Sequence, residues 1–186
     1  AVAEDAPIMF KENLWALSRI FGDTAPDGFT IPIGKPALRK EGRDLTIITW
    51  GAKTIFDAVL PAMARLESEG HSIELIELRS LQPYDLAFLV ESIKRTHRAL
   101  IVHEDVGRGG VGQSIATEMQ DVFSEHSGES VADEIEREGA YFATLAPISV
   151  YGAHFTPAPQ HPSMESYYLP SADGVYRRAK KLLQYR

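Results

Sequence analysis

Residues 45–102, LTIITWGAKTIFDAVLPAMARLESEGHSIELIELRSLQPYDLAFLVESIKRTHRALIV, decide the fold. They open on an apolar run of strand length, Leu45 to Trp50, closed by Gly51. Ile55, Val59, Ala62 and Leu66 then recur at the spacing of one helix face, ending at Gly70. Pro61 falls inside that pattern and, having no N–H, predicts a kink. A second run, IELIEL at 73–78, precedes Asp85, which stands at the N-cap position of a helix carrying Leu86, Leu89, Val90 and Ile93. The third run, ALIV at 99–102, is apolar without alternation, as a central strand covered on both faces must be. Strand-length runs alternating with helical stretches predict an α/β fold with a mainly parallel sheet between helices.

The pattern extends in both directions. Downstream lie a glycine loop at 107–112, a helix over 113–126 with Ile115, Met119, Val122 and Phe123 inward, and a fourth run at 148–151. Four of the 11 prolines, Pro157, Pro159, Pro162 and Pro170, then mark an ordered surface crossover. A last helix beginning near Ser171 packs through Val175, Ala179 and Leu182. Upstream, Leu14, Leu17 and Phe21 repeat at helical spacing, and a breaker-rich stretch at 22–28 separates them from the sheet. The expected division is an arm with its linker at 1–28 and one domain at 29–186.

Composition bounds the chemistry. At 186 residues the native state buries roughly 70% of the surface of the unfolded chain, enough for one core without staples. The absence of Cys removes disulfides, zinc ribbons and thiol nucleophiles together. No apolar run approaches the roughly 20 residues of a membrane-spanning helix, so the chain is expected to be soluble and intracellular. The net charge is −7, and all of it falls between Thr117 and Glu138, where eight acids meet one base, Arg137. The only dense basic stretch is Arg177, Arg178, Lys180 and Lys181, read as the solvated last turns of a helix, so nucleic acid is not an expected partner.

The loudest motif is Gly107-Arg108-Gly109-Gly110-Val111-Gly112, a literal GxGxxG between strand and helix. Its amides and Arg108 could receive an anion. It follows the third strand of the unit rather than the first, and no acid for a ribose follows at the right distance, so a glycine-rich turn is the preferred reading. His103 and Glu104 end the central strand, where ligands of α/β sheets bind, but neighbours on a strand point to opposite faces. They are therefore expected to fix the loop by an ion pair or hydrogen bond, with Arg79 as partner. His71, His97 and His126 follow helices and are expected at the surface. His154 and His161 flank prolines without an acid at ligand spacing, so no metal is expected. GxSxG, P-loop and HExxH signatures are absent, and no nucleophile-base constellation is legible.

Several stretches converge on one family. ELIELRSLQPYD at 74–85 resembles the "(E)xIDLRTLxPxD" stretch of transketolase C-terminal domains, and VHEDVGRGGVG at 102–112 resembles their "HExxxxGGxG" loop. Ala146-Pro147, Thr156-Pro157-Ala158-Pro159 and Tyr168-Leu169-Pro170-Ser171 resemble the closing pattern. Order and spacing are most similar to the beta subunit, or a fused alpha-beta chain, of thiamine-diphosphate-dependent 2-oxo acid dehydrogenases acting on pyruvate or branched-chain substrates. PIMFKENLW at 7–15 resembles the tail of the preceding pyrimidine-binding domain, and Ile31-Pro32-Ile33-Gly34-Lys35 the lead-in to the C-terminal domain.

The resemblance implies a three-layer α/β/α sandwich on a mostly parallel, mixed sheet of five strands, adding one antiparallel strand to the four runs. It implies that thiamine diphosphate and magnesium are held by other domains, since this chain has neither the GDG signature nor a candidate for the activating glutamate. What remains is a non-catalytic role: pairing with other subunits or domains of the dehydrogenase, self-association, and docking of the dihydrolipoyl acyltransferase core. Glu118 and Asp121, three apart on one helix face, with Tyr185 as aromatic anchor, are the expected docking residues. The compartment implied is the bacterial cytoplasm or the mitochondrial matrix. Two departures stand out: Phe155 occupies the place of the aspartate before the Thr-Pro pair, and an acidic insertion spans 127–141. The alternatives are transketolase or deoxyxylulose-phosphate synthase, or a freestanding anion- or nucleotide-binding module using the GRGGVG loop.

Overall fold

The computed structural model describes residues 5–123 and 144–185; the acidic insertion at 127–141 lies outside them. Five strands form one sheet: β1 (Ala37–Lys40), β2 (Leu45–Thr49), β3 (Ile73–Glu77), β4 (Ala99–Val106) and β5 (Ser149–Ala153). Their order is β1-β3-β2-β4-β5, and β1 alone runs antiparallel, against β3. This is the mixed five-stranded sheet that the resemblance implied. β2 is paired on both sides, with Ile47 opposite Leu75 and Leu100, and all five of its residues are buried.

Side-chain parity then assigns two cores. Ile48, Ile76 and Ile101 face one way, under α3 (Leu86–Thr96) and α4 (Val111–Phe123), where Leu89, Ile93, Ile115 and Met119 meet them. Leu45, Ile47, Leu75 and Leu100 face the other way, under α2 (Leu60–Ser68) and α6 (Ala172–Leu183), against Leu66, Val175 and Ala179. Parallel strands with both faces covered account for the continuous apolar runs.

Local signals terminate the helices. Asp85 accepts from the Phe88 amide at 3.0 Å and caps α3, which ends at His97 in the left-handed region, φ 61°. Ser171 accepts from Gly174 N at 3.2 Å and caps α6. At the other end of α6, Arg98 donates to the carbonyls of Leu182 and Tyr185 at 3.1 and 2.6 Å. The distortion expected at Pro61 takes the form of a π-helical segment, Thr54–Val59, in which Leu60 N reaches back to Ile55 O. The widened turn ends where the chain runs out of an N–H to donate.

One polar layer interrupts the first core. Glu74, 1% exposed on β3, accepts from Thr46 Oγ1 at 3.0 Å and from Arg95 Nη2 at 2.9 Å. Thr46 and Thr96 hydroxyls lie 2.6 Å apart, and Arg95 also reaches Ser92 Oγ at 3.0 Å. α3 is thereby tied to β2 and β3 by directed bonds as well as by packing.

The arm forms a single helical turn, α1 (Leu14–Leu17), capped by Asn13. Its apolar side chains stand in solvent: Met9, Phe10, Leu14 and Phe21 are each more than 70% exposed. Trp15 reaches the domain, stacking on Phe56 at 5.9 Å. The crossover holds a short helix that its prolines concealed, α5 (Pro162–Tyr168), with Pro162 in the first turn. Among the described residues no helix is long and apolar enough to cross a membrane.

The Glu74 layer yields an asymmetric prediction. Arg95→Ala leaves a buried carboxylate without its counter-ion and should cost about 3–5 kcal/mol. Glu74→Gln keeps an acceptor for Thr46 and frees an arginine that is half in water, so about 1–2 kcal/mol is expected. Urea denaturation of the two variants measures the order.

Candidate functional site

The residues that the sequence singled out lie at the carboxyl end of β2 and within β4, which runs on to Val106 rather than ending at His103 and Glu104. His103 is fully buried on the α3–α4 side. Its ring lies on Trp50, with centroids 4.8 Å apart and planes within 4°. A β-carbon on Gly112 would come within 2.3 Å of Nε2, so the first turn of α4 rests on the imidazole because residue 112 has no side chain. Among the described residues neither ring nitrogen has a hydrogen-bond partner. Burial lowers the pKa from its ordinary 6.5, against an opposing pull from Asp105.

Glu104 points to the other face, as strand geometry requires, and accepts from Thr54 Oγ1 at 3.2 Å. The loop-fixing bond expected of His103, Glu104 and Arg79 is not the one formed. Arg79 donates to the carbonyls of Lys35 and Pro36 at 3.1 to 3.3 Å. The reason is topological: β3 and β4 are successive in sequence, but β2 lies between them in the sheet.

The loop at 107–110 uses its amides on itself. Gly107 N donates to Ala153 O at 3.1 Å, Gly109 N to Gln113 Oε1 at 2.9 Å, and Gln113 N to Gly110 O at 3.0 Å. Gly109 takes φ 76°, where a β-carbon strains the backbone. Of the five residues considered for an anion, Gly107 and Gly109 are thus committed inward, and Gly112 is packed on His103. Arg108 lies over the ring of Phe155 at 5.4 Å, a cation–π contact at the position where the aspartate of the resembling pattern is missing.

The three expected docking residues do not share a face. Glu118 accepts a short hydrogen bond from Tyr84, whose hydroxyl pKa is raised by burial and by that carboxylate. Asp121 lines a groove of about 440 Å³ between α4 and β5. Tyr185, 39% exposed, belongs to the α6 side of the sheet and lines a second groove of about 230 Å³. α4 packs on one core and α6 on the other, so helix periodicity alone could not show that the sheet separates the acids from the aromatic.

His154 stacks on Tyr167 at 5.0 Å, and His161 caps α5. Among the described residues no three His, Asp or Glu side chains gather as a metal site. The described residues do not fit a magnesium-bound pyrophosphate, because no carboxylate cluster among them could hold the metal.

The buried imidazole has a measurable consequence. The unfolded chain titrates His103 near 6.5 and the fold holds its pKa lower, so below pH 6.5 the unfolded state binds more protons. The stability it contributes is complete above that value and is lost as pH falls toward the folded pKa, by at most about 1.4 kcal/mol per pH unit. In His103→Phe, the drop in unfolding free energy between neutral and mildly acid pH should shrink, as read by urea titrations at both.

The family model of the transketolase C-terminal domain matches residues 34–132, just over half of the chain. Over all 186 residues the chain is 32% identical to the 2-oxoisovalerate dehydrogenase subunit beta of Bacillus subtilis, and 31% identical to the pyruvate dehydrogenase E1 component subunit beta of Staphylococcus aureus. In both cases it spans about half the relative, 51% of its length. The arm and the closing pattern at 146–171 lie outside the family model but inside these longer matches. Among solved structures, a split-gene transketolase in an inactive β4 tetramer superposes with a TM-score of 0.61 at 22% identity, over 88% of this chain and 46% of that one, which supports the fold. On the extent of the family match and the order of its sheet, the chain belongs to the transketolase C-terminal domain family.

Proposed function

We propose that the chain is the C-terminal domain of a thiamine-diphosphate-dependent 2-oxo acid dehydrogenase, a beta subunit or fused chain that decarboxylates a 2-oxo acid and passes the acyl group to lipoyl carriers. In that enzyme the domain assembles and docks, and the chemistry belongs to other domains. One observation carries the reading: the match to beta subunits runs through the arm, whose apolar side chains stand in water here. The arm at 1–28 is the tail of a pyrimidine-binding domain, and 29–186 is the assembly domain. Thiamine diphosphate would supply the electron sink for decarboxylation, and none of the residues described here is assigned to it.

Partners in this reading are the remaining dehydrogenase domains, a second copy, and the acyltransferase core. The α4 face with Glu118 and Asp121 supplies the electrostatic part of core docking, which acts mainly on association rate. Within that face Glu118 is held by Tyr84.

Calorimetry tests the division of labour. The chain alone should show no stoichiometric, magnesium-dependent uptake of thiamine diphosphate, whereas the longer dehydrogenase chain with its partner subunit should bind it; uptake by this chain would overturn the reading. The docking part has its own readout. With the acyltransferase binding domain at low salt, Glu118→Lys with Asp121→Lys should slow association about tenfold, an effect that fades as salt shortens the Debye length below about 10 Å. An unchanged on-rate makes the α4 acids ordinary solvated surface.

A further inference from the structure

β5 ends the sheet: it pairs with β4, and among the described residues no strand lies beyond it. On its α6 side the groove is lined by Ile148, Ser149, Arg178, Lys181, Leu182 and Tyr185, with no acidic residue. Its floor is apolar and its rim cationic. Arg178 and Lys181 are three apart on α6, and Tyr185 follows four later, so the three project along one side of the helix end.

These cations differ from their neighbours. Lys180 pairs with Glu69 at 2.7 Å, and Arg65 pairs with Asp173. Arg178 and Lys181 have no acid partner among the described residues; Arg178 is held over the ring of Tyr151 at 4.7 Å, beside the strand. Serving the helix dipole does not account for them, because Arg98 already donates to the terminal carbonyls of α6. Among the described residues no acid faces this cationic rim and no strand covers the edge beside it, so the groove fits an anionic occupant.

We propose that the α6–β5 groove docks an extended acidic peptide segment of a partner protein, which adds to the β5 edge and sets its carboxylates against Arg178 and Lys181. Main-chain bonds to the edge supply affinity, and alternate side chains on one face of the added strand supply selection. The apolar side chains of that face rest on Ile148, Leu182 and the ring of Tyr185. This surface is distinct from the acidic α4 face and selects the opposite charge.

Fluorescence anisotropy on the intact chain tests the assignment with a short labelled peptide of alternating Glu and Val. The expected result is binding at about 0.05 M salt that weakens toward about 0.3 M. Arg178→Glu with Lys181→Glu should cut affinity about tenfold or more, with melting lowered only by the loss of the exposed contact of Arg178 with Tyr151. A peptide N-methylated along one backbone edge should lose binding. The proposal is overturned if the double variant binds as well as the parent, if a Lys-Val peptide or the N-methylated peptide binds equally, or if an oligonucleotide of the same charge competes as strongly. It is also overturned if sedimentation shows that the double variant splits a dimer, since the occupant would then be a second copy.

Discussion

β2 is hydrogen-bonded to β3 on one side and to β4 on the other, and none of its five side chains reaches solvent. Everything else is placed from that strand. Its odd residues, Leu45 and Ile47, begin the core under α2 and α6, and Ile48 begins the core under α3 and α4. A buried aliphatic side chain is worth about 1.5–3 kcal/mol. A register slip of one residue would exchange the two cores and put Thr46 where no Glu74 could receive it. The polar layer of Thr46, Glu74, Thr96 and Arg95 therefore works as a register mark within an otherwise apolar sandwich.

How much of this was legible depends on the range of the interaction. The strand runs, the Asp85 cap and the last helix are short-range signals, and they stand where the sequence put them. β1 came from the resemblance alone, because a four-residue strand with mostly exposed side chains leaves no apolar run to read. The Arg79 pairing failed because chain order differs from sheet order, with β2 inserted between β3 and β4. The Trp50–His103 stack joins the residue after β2 to the middle of β4, and its only sequence mark is an aromatic closing one apolar run and a histidine following another. In the sequence Gly112 reads as a possible anion ligand, yet its physical reason is the imidazole beneath it. The division of Glu118 and Asp121 from Tyr185 needed the knowledge of which core each helix covers.

The loop with the strongest motif thus contributes to packing, and the proposed function rests on surfaces. An arm of exposed apolar residues, an acidic helix face and a cationic groove beside an edge that no described strand covers are the surfaces from which partners are proposed. Membership in the transketolase C-terminal domain family, over a chain that spans about half of its dehydrogenase relatives, is consistent with that economy. The domain keeps its own two cores closed and leaves these surfaces outside them.

Hydrogen exchange read by mass spectrometry, on this chain alone and within the longer dehydrogenase chain, tests the central claim most directly: a self-sufficient sheet carries an arm built to be covered by another domain. The account predicts equal, strong protection of β2, β3 and β4 in both forms, with the arm at 5–28 exchanging freely in the first and protected in the second. Loss of protection in the central strands of the isolated chain, or an arm that exchanges alike in both, would contradict it.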